Sequence, residues 1–341
     1  MFLNKENKAF IIAEAGVNHN GDINNAIKLI EYAKRAGCDA VKFQTFDADR
    51  LVCKDAPKVK YQISNDGSER SQYEMLKKLM LSNEQFKILK EICDKNSIEF
   101  MSTPYDEIAV DFLLKIGIKK FKVASADIVD PILNKAISKT RKKVIISTGM
   151  ATIQEINNCL KIYNFYSKED ICLLHCVSNY PCSKESLNLK ILNILKKLYG
   201  TSIGFSDHTT DSISSAMAVS LGSDVIEKHF TLDRNAKGPD HKSSLDFKSM
   251  KNFVDNIREI EIILGNEIKQ CQSEEKEMRE IARKKIIAKN SIKKGDNFSL
   301  ENLTLKRSAH GIECSQLYEV LEKKSNRDIP SNYPIYKNDF E

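Results

Sequence analysis

From residue 9 to about residue 265, short β-rich apolar runs alternate with amphipathic helical stretches, and this alternation restricts the chain to parallel β/α architecture. The runs Ala9–Glu14, Ala40–Phe43, Glu99–Ser102, Lys120–Val123, Val144–Ser147, Ile171–Cys176, Ser202–Phe205 and Val225–His229 read as strands. Between them, stretches such as Ile23–Ala36, Ser82–Lys95, Glu107–Ile116, Thr152–Tyr163, Leu187–Leu198 and Phe247–Leu264 repeat apolar residues every three or four positions, as helices do. Eight such rounds predict a closed (β/α)8 TIM barrel. The competing doubly wound open sheet is disfavoured because no G-x-G-x-x-G follows the first strand and no G-x-x-x-x-G-K-[ST] occurs anywhere.

One connection is abnormally long. About 35 residues, Asp47–Leu81, stand where a βα loop needs only a few, so this excursion is expected to cover the site, with Tyr61, Gln62, Asn65 and Gln72 as candidate ligand contacts, a plain structural insertion being the alternative. After the last helical stretch, residues 270–283 are highly charged and helix-prone and read as a linker. Residues 284–341 then show short β segments punctuated by a Lys-Gly-Asp turn and a second turn near Glu301–Asn302. The expected organisation is a barrel over 1–269, a linker over 270–283, and a small β-rich domain over 284–341. A domain that small is expected to lean on another surface or another subunit.

Composition removes several function classes. Apolar residues make up 41% and charged residues 29%, ordinary for a globular enzyme, and the net charge of +6 is spread over Lys interleaved with acids. With no basic block to track a phosphate backbone, nucleic acid is not an expected partner. The N-terminal apolar run is cut short by Glu14, so neither a signal segment nor a membrane span is expected, and the expected location is cytoplasmic. Nine Cys without a C-x-x-C pair argue against both a disulfide framework and a thiolate zinc site. Cys176 follows His175 at a strand end, but the buried-hydrophobe reading of that thiol outweighs a nucleophilic pair.

Barrel chemistry is carried by the C-terminal ends of strands, and here those ends are unusually polar. They carry Glu14 with Asn18 and His19; Lys42 and Gln44; Ser102 and Thr103; Lys122 and Ser125; Ser147 and Thr148; His175; Ser206, Asp207 and His208; and Glu227 with His229. His208 and His229 end consecutive strands, so their imidazoles can approach one divalent ion while leaving positions for water and substrate. An open site of that kind suits Mn²⁺, with Mg²⁺ or Co²⁺ as substitutes. Lys42, Lys122, Thr103, Ser125, Ser147 and Ser206 form a set of cationic and hydroxyl donors fit for a phosphate or a carboxylate. A buried strand-end lysine, Lys122 above all, also admits a Schiff-base aldolase mechanism.

In order along the barrel, IIAEAGVNHNGD, AVKFQTF, FMSTPYD, FKVAS, IISTGMAT, LLHCVSNYP, GFSDHT, VIEKHFTLD and KGPDHKSSLD resemble the sialic acid synthases and their relatives that make legionaminic and pseudaminic acids. SIKKGDNFSLENLTLKR resembles the antifreeze-like (SAF) domain that closes that family. The resemblance covers about residues 8–335. It implies metal-dependent addition of phosphoenolpyruvate to an open-chain acylamino-hexose, with C–O cleavage and release of phosphate, in a domain-swapped homodimer. By motif position it implies His208 and His229 as metal ligands. Phosphoenolpyruvate would be held by Lys42, Thr103, Lys122, Ser125, Ser147 and Ser206, and the sugar by Gln44, Asn65, Tyr180, Asp240 and the partner's Arg307. Glu14 would be the strand-one acid/base.

Three positions bear on the sugar. The family's Ser-Gly-Glu after the fourth strand is Ser125-Ala126-Asp127 here, which shortens that sugar-side carboxylate by one methylene. Its Lys-Arg-Pro-Gly is Lys306-Arg307-Ser308-Ala309, which keeps the arginine and changes its loop. GPDH is intact, which disfavours the pseudaminic branch. N-acetylmannosamine, leading to N-acetylneuraminate, is the first expectation, and a 2,4-diacetamido-2,4,6-trideoxy-mannose, leading to legionaminic acid, the second. A synthase acting on a phosphorylated aldose and a non-enzymatic carbohydrate-binding protein are the remaining rivals, and the second would leave the polar strand ends unexplained.

Overall fold

The structure is a computed structural model that describes residues 2–3, 8–58 and 71–340. Tyr61, Gln62 and Asn65 therefore lie outside the described residues. The chain divides into two compact units, Met1–Gly265 and Asn266–Glu341.

In the first unit eight parallel strands, β1 (Phe10–Gly16), β2 (Ala40–Thr45), β3 (Glu99–Pro104), β4 (Lys120–Val123), β5 (Lys143–Ser147), β6 (Ile171–Cys176), β7 (Ser202–Asp207) and β8 (Val225–His229), pair in the order β3-β2-β1-β8-β7-β6-β5-β4. Each hydrogen-bonded neighbour is a neighbour in sequence, except that β8 pairs with β1, with Glu14 opposite His229. Only a sheet wrapped on itself gives that order. The remaining two strands, β3 and β4, pack side by side without a ladder. This is the (β/α)8 barrel, and no strand-order reversal exists to make the crevice of a doubly wound sheet.

Each strand is followed by its helix: α1 (Ile23–Ala36), α2 (Asn83–Lys95), α3 (Glu107–Lys115), α4 (Pro131–Lys139), α5 (Ile153–Ile162), α6 (Ile191–Tyr199), α7 (Ile213–Ser220) and α8 (Phe247–Leu264). Local chemistry starts most of them. Asp22, Asp106, Asp130 and Asp246 cap first-turn amides of α1, α3, α4 and α8, while Ser82–Gln85 and Thr152–Glu155 form capping boxes on α2 and α5. The sequence pattern does not single out α4 or α7. In α7 the buried positions are Ser214, Ser215, Ala218 and Val219, too small and partly too polar to read as an apolar stripe.

Strand side chains alternate between two environments. Ile11, Ala13, Val41, Phe43, Phe100, Phe121, Val144, Ile146, Leu173, Phe205 and Ile226 join the helices in one large cluster outside the barrel. The other parity fills the inside: Phe10, Ile12, Ala40, Met101, Ile145, Cys172, Leu174 and Val225, together with Phe2 from the N-terminal segment. The same inward parity continues to Glu14, Lys42, Thr103, Lys122, Ser147, Ser206, Glu227 and His229. The barrel is thus a hydrocarbon plug below and a polar chamber above.

The second unit pairs β9 (Lys284–Ala288) with β10 (Leu303–Arg307) in antiparallel fashion and has its own buried cluster, including Ile286, Ile292, Phe298, Leu303, Val320, Ile329 and Ile335. The unit begins at Asn266, a few residues before the expected linker. Residues 270–283 carry a short turn and the helix Lys276–Ala282, none of whose residues is buried.

Gly204 shows how tightly the plug is made. A Cβ there would meet the Val225 carbonyl oxygen at 2.3 Å and the Leu174 side chain at 2.6 Å. Because a backbone atom is in the way, Gly204→Ala is expected to cost at least about 1–3 kcal/mol as a lower denaturant midpoint at unchanged m-value. A wild-type midpoint would mean that β7 and β8 have slack the packing does not show.

Candidate active site

The chamber is lined by Glu14, Lys42, Gln44, Thr103, Lys122, Ser125, Asp127, Ser147, Cys176, Tyr180, Ser206, His208, Glu227, His229 and Asp240, together with Gln72 and Leu76 from helix Gln72–Leu79 in the β2–α2 excursion. Every sequence-predicted site residue of the barrel that falls among the described residues is here. Arg307 belongs to the other unit, exposed at the end of β10.

At the centre two ammonium groups face two carboxylates, all four residues at most 4% exposed. Lys42 Nζ lies 2.6 Å from Glu14 Oε2 and 3.6 Å from Glu227 Oε2, and Lys122 Nζ lies 3.8 Å from Glu227 Oε1. Hydroxyls complete the set. Lys42 donates to Thr103 Oγ1 at 3.3 Å, Lys122 to Ser147 Oγ at 2.6 Å, and Ser206 Oγ to Glu227 Oε1 at 2.9 Å. Ser125 shares a 2.9 Å hydrogen bond with Ser178, and a Cβ on Gly149 would strike Ser125 at 2.4 Å, so this glycine makes room for the serine pair.

The two carboxylates are driven apart. Burial pushes Glu14 above the usual carboxylate range, and the Glu227 charge adds to it against the pull of Lys42. Burial also pushes Glu227 up, but Lys122 and Lys42 outweigh it and hold it low. Burial holds Lys122 below its ordinary value, whereas in Lys42 the two carboxylates outweigh burial and hold it high. Glu227 is a strand-end residue to which the sequence assigns no role; only the folded barrel places it between both lysines. Beside this cluster β1 carries a bulge at Gly16, whose left-handed φ of 52° and missing Cβ leave space for the Glu14 carboxylate and the Gln44 amide, 3.2 Å apart.

The two imidazoles stand together, His208 and His229 with ring centroids 5.4 Å apart and Tyr180 packed on both. The Val177 carbonyl engages His208 Nδ1 at 2.7 Å and fixes the ring as metal-bound imidazoles are usually fixed, while its Nε2 stands 3.5 Å from Ser206 Oγ. His229 Nδ1 is buried without a hydrogen-bond partner among the described residues. Burial keeps both rings neutral at physiological pH, the form that ligates. Among the described residues no cluster of three or more His, Cys, Asp or Glu could hold a metal, so an ion on this pair would draw its other ligands from water and substrate. The residues present fit such an ion. On the outer face behind the pair, Lys228 and Asp207 form a fully buried ion pair at 3.0 Å. His175 is elsewhere, its Nε2 bound to the Leu187 carbonyl and its ring stacked near Phe205, a structural role.

Two further carboxylates face the chamber. Burial pushes Asp240 up to about 6. Asp127 also rises to about 6, by burial and the nearby Asp130 against the pull of Lys122.

Residues 29–269 match the NeuB family. This chain belongs to that family. It is accordingly a nonulosonic acid synthase, a phosphoenolpyruvate-dependent condensing enzyme. Over 94% of its length it is 43% identical to the N,N'-diacetyllegionaminic acid synthase of Campylobacter jejuni, covering 97% of that protein. It is 42% identical over the same share to the synthase of that name from Legionella pneumophila, covering 91%. The N-acetylneuraminic acid (sialic acid) synthetase of Leptospira borgpetersenii, solved with citrate, superposes with a TM-score of 0.71 at 33% identity, over 82% of this chain and 92% of that one. No helix among the described residues is long and apolar enough to cross a membrane.

Asp240 gives a test of the chamber's cost to the fold. Its folded pKa of about 6 lies above the ordinary 3.8. Folding therefore takes up a proton between those values, and stability is lost as pH rises through the window. The penalty is absent below about pH 4 and complete above about pH 6, at about 3 kcal/mol. Asp240→Asn is expected to raise the melting temperature at pH 8 and to leave it unchanged at pH 4. An equal shift at both would remove burial of the charge as the cause.

Proposed function

We propose that this NeuB-family chain condenses phosphoenolpyruvate with 2,4-diacetamido-2,4,6-trideoxy-mannose to give N,N'-diacetyllegionaminic acid and phosphate. The single observation that carries the sugar choice is the 43% and 42% identity to two diacetyllegionaminic acid synthases, against 33% to the sialic acid synthetase. This reverses the order of the sequence expectation, which put N-acetylmannosamine first. Asp127 supports the reversal, because its shorter side chain leaves more room on the sugar side of the chamber.

In this reading Lys42 and Lys122 neutralise the phosphate and carboxylate of phosphoenolpyruvate, and Thr103, Ser125, Ser147 and Ser206 supply directional donors. Gln44, Asn65, Tyr180, Asp127 and Asp240 hold the open-chain sugar. His208 and His229 would hold a divalent ion, Mn²⁺ with Mg²⁺ or Co²⁺ as substitutes, which supplies Lewis acidity toward the aldehyde oxygen. C3 of phosphoenolpyruvate forms the new bond to C1 of the sugar as its π electrons leave C2, and water adds at C2. One water proton passes to the new alkoxide and the other leaves with phosphate when the C2–O bond breaks and the ketone forms. Glu14, whose carboxyl burial raises toward neutrality, manages the proton at the alkoxide.

Following phosphate release with each sugar tests this directly. The diacetamido sugar is expected to be used with a kcat/KM at least about tenfold above that of N-acetylmannosamine. Chelation is expected to abolish turnover, Mn²⁺ to restore it, and ¹⁸O in the bridging C2–O position to appear in phosphate. Label retained in the sugar would refute the C–O cleavage. Borohydride trapping of pyruvate on Lys122 in metal-free protein would instead favour the Schiff-base aldolase, for which the lowered pKa of Lys122 is the one supporting feature.

The homodimer is part of the same proposal, with Arg307 of the partner subunit reaching the sugar. Glu14→Ala and Arg307→Ala, each inactive alone, should then complement when subunits exchange. Half the dimers are mixed and one site in two within them is intact, so about a quarter of wild-type activity should return. No return, with exchange verified by mass, would place Arg307 within its own chain's site or in none.

A further inference from the structure

We infer that Asn18 is a positioning residue for the sugar side of the chamber: its amide clamps the β8–α8 loop and, through Ser244, sets Asp240. The inference rests on the reading of Asp240 as a sugar contact. Asn18 lies in the β1–α1 loop, 2% exposed, and touches no chamber-lining side chain by any hydrogen bond of its own. Both protons of its Nδ2 are used, at 2.9 Å on the Phe230 carbonyl and at 2.9 Å on Ser244 Oγ. Ser244, fully buried, passes its own proton to the Asp240 carbonyl at 2.6 Å, and Ser243 Oγ reaches the same oxygen at 3.0 Å.

The direction of this relay is fixed. Ser244 has one proton and the Asp240 carbonyl can only accept, so Ser244 must accept from Asn18, and the Phe230 carbonyl demands a donor too. The amide therefore cannot turn over. Its Oδ1 has no hydrogen-bond partner among the described residues.

A second contact set pins the same loop from the same side. Asn20 Nδ2 donates to the Lys237 carbonyl at 3.1 Å, which makes its Oδ1 the acceptor for His241 Nε2 at 3.2 Å. His241 Nδ1 stands 2.7 Å from Thr231 Oγ1, whose hydroxyl also reaches the Asp233 carbonyl at 3.1 Å. Gly238, between these points, runs so close to His241 and Asn20 that a Cβ would meet them at 2.7 and 2.9 Å. The segment carrying Asp240 has as regular structure one 3-10 turn, His241–Ser243, and the Phe230–Leu245 bridge. Its geometry depends on side chains from the far end of the sequence.

A positioning role of this kind separates the two substrates kinetically. In Asn18→Ala and in Ser244→Ala the KM for the amino sugar is expected to rise about tenfold, the KM for phosphoenolpyruvate to move less than about twofold, and the double variant to go no further than either single, because both lesions cut one relay. Equal rises in both KM values, or additive effects, would overturn the inference in favour of general loosening. If Asn18→Ala does not fold, Ser244→Ala decides alone, since it spares the Asn18–Phe230 bond. Amide hydrogen exchange of the full-length protein supplies an arm without turnover. Residues 237–245 are expected to exchange faster in Ser244→Ala than in wild type while β2–β4 stay unchanged. Wild-type protein that releases no phosphate would sink the proposed function, whereas unchanged exchange in 237–245 would sink the clamp.

Discussion

Everything in this barrel is arranged around four ionisable groups buried side by side. Lys42, Lys122, Glu14 and Glu227 sit above a hydrocarbon plug, and at this degree of burial each is tolerable only because the other three are there. Removing one partner of such a set leaves an uncompensated charge, a loss of about 3–5 kcal/mol, whereas the complete set is close to neutral for stability. The cluster is therefore better understood as a preorganised chamber than as a staple. A substrate bearing both a phosphate and a carboxylate can take over the lysines without any new cation being brought in, and the split environments of Glu14 and Glu227 leave one carboxyl able to carry a proton while the other stays charged.

The chamber divides by how its parts are held. In the proposed reading the anion side is built from inward-facing residues of β2, β3, β4, β5, β7 and β8, whose positions are set by the ladders and by the packed layer beneath them. The proposed sugar side is built from segments after strand ends that line the chamber: Tyr180, the Asp240 loop, Asp127 and the excursion that contributes Gln72. A common anion and a variable sugar map naturally onto a rigid half and a looped half, because loops can change without disturbing the barrel. The Asn18–Ser244–Asp240 relay ties one of those loops back to β1, so the variable half is not left slack.

The sequence carried the architecture because it is written in short periods. Alternation of apolar strands and amphipathic helices is enough to define the barrel, and the two-residue period of each strand already divides plug from helix-facing core. The polar strand ends likewise announce Glu14, Lys42, Lys122, His208 and His229, since charged and imidazole groups at those positions have no reason to be there unless they converge. Local pattern failed where its assumptions failed. Helix α7 buries serines, so it has no apolar stripe to read.

Pairings between residues far apart could not be read at all. Glu227 was visible as a strand-end acid, but its place between Lys42 and Lys122 depends on β8 closing against β1 and on β2 and β4 facing the same chamber. Asn18 and Ser244 are 226 positions apart, and nothing in either neighbourhood names the other. The order of the two candidate sugars was also beyond the motifs. Sequence alone determined the barrel, the parity of its strands and the kinds of group at their ends, because propensity and periodicity act over a few residues. Tertiary structure alone decided which of those groups meet, which proton each can hold and which loop is clamped, because contact distance and desolvation exist only once the ring has closed.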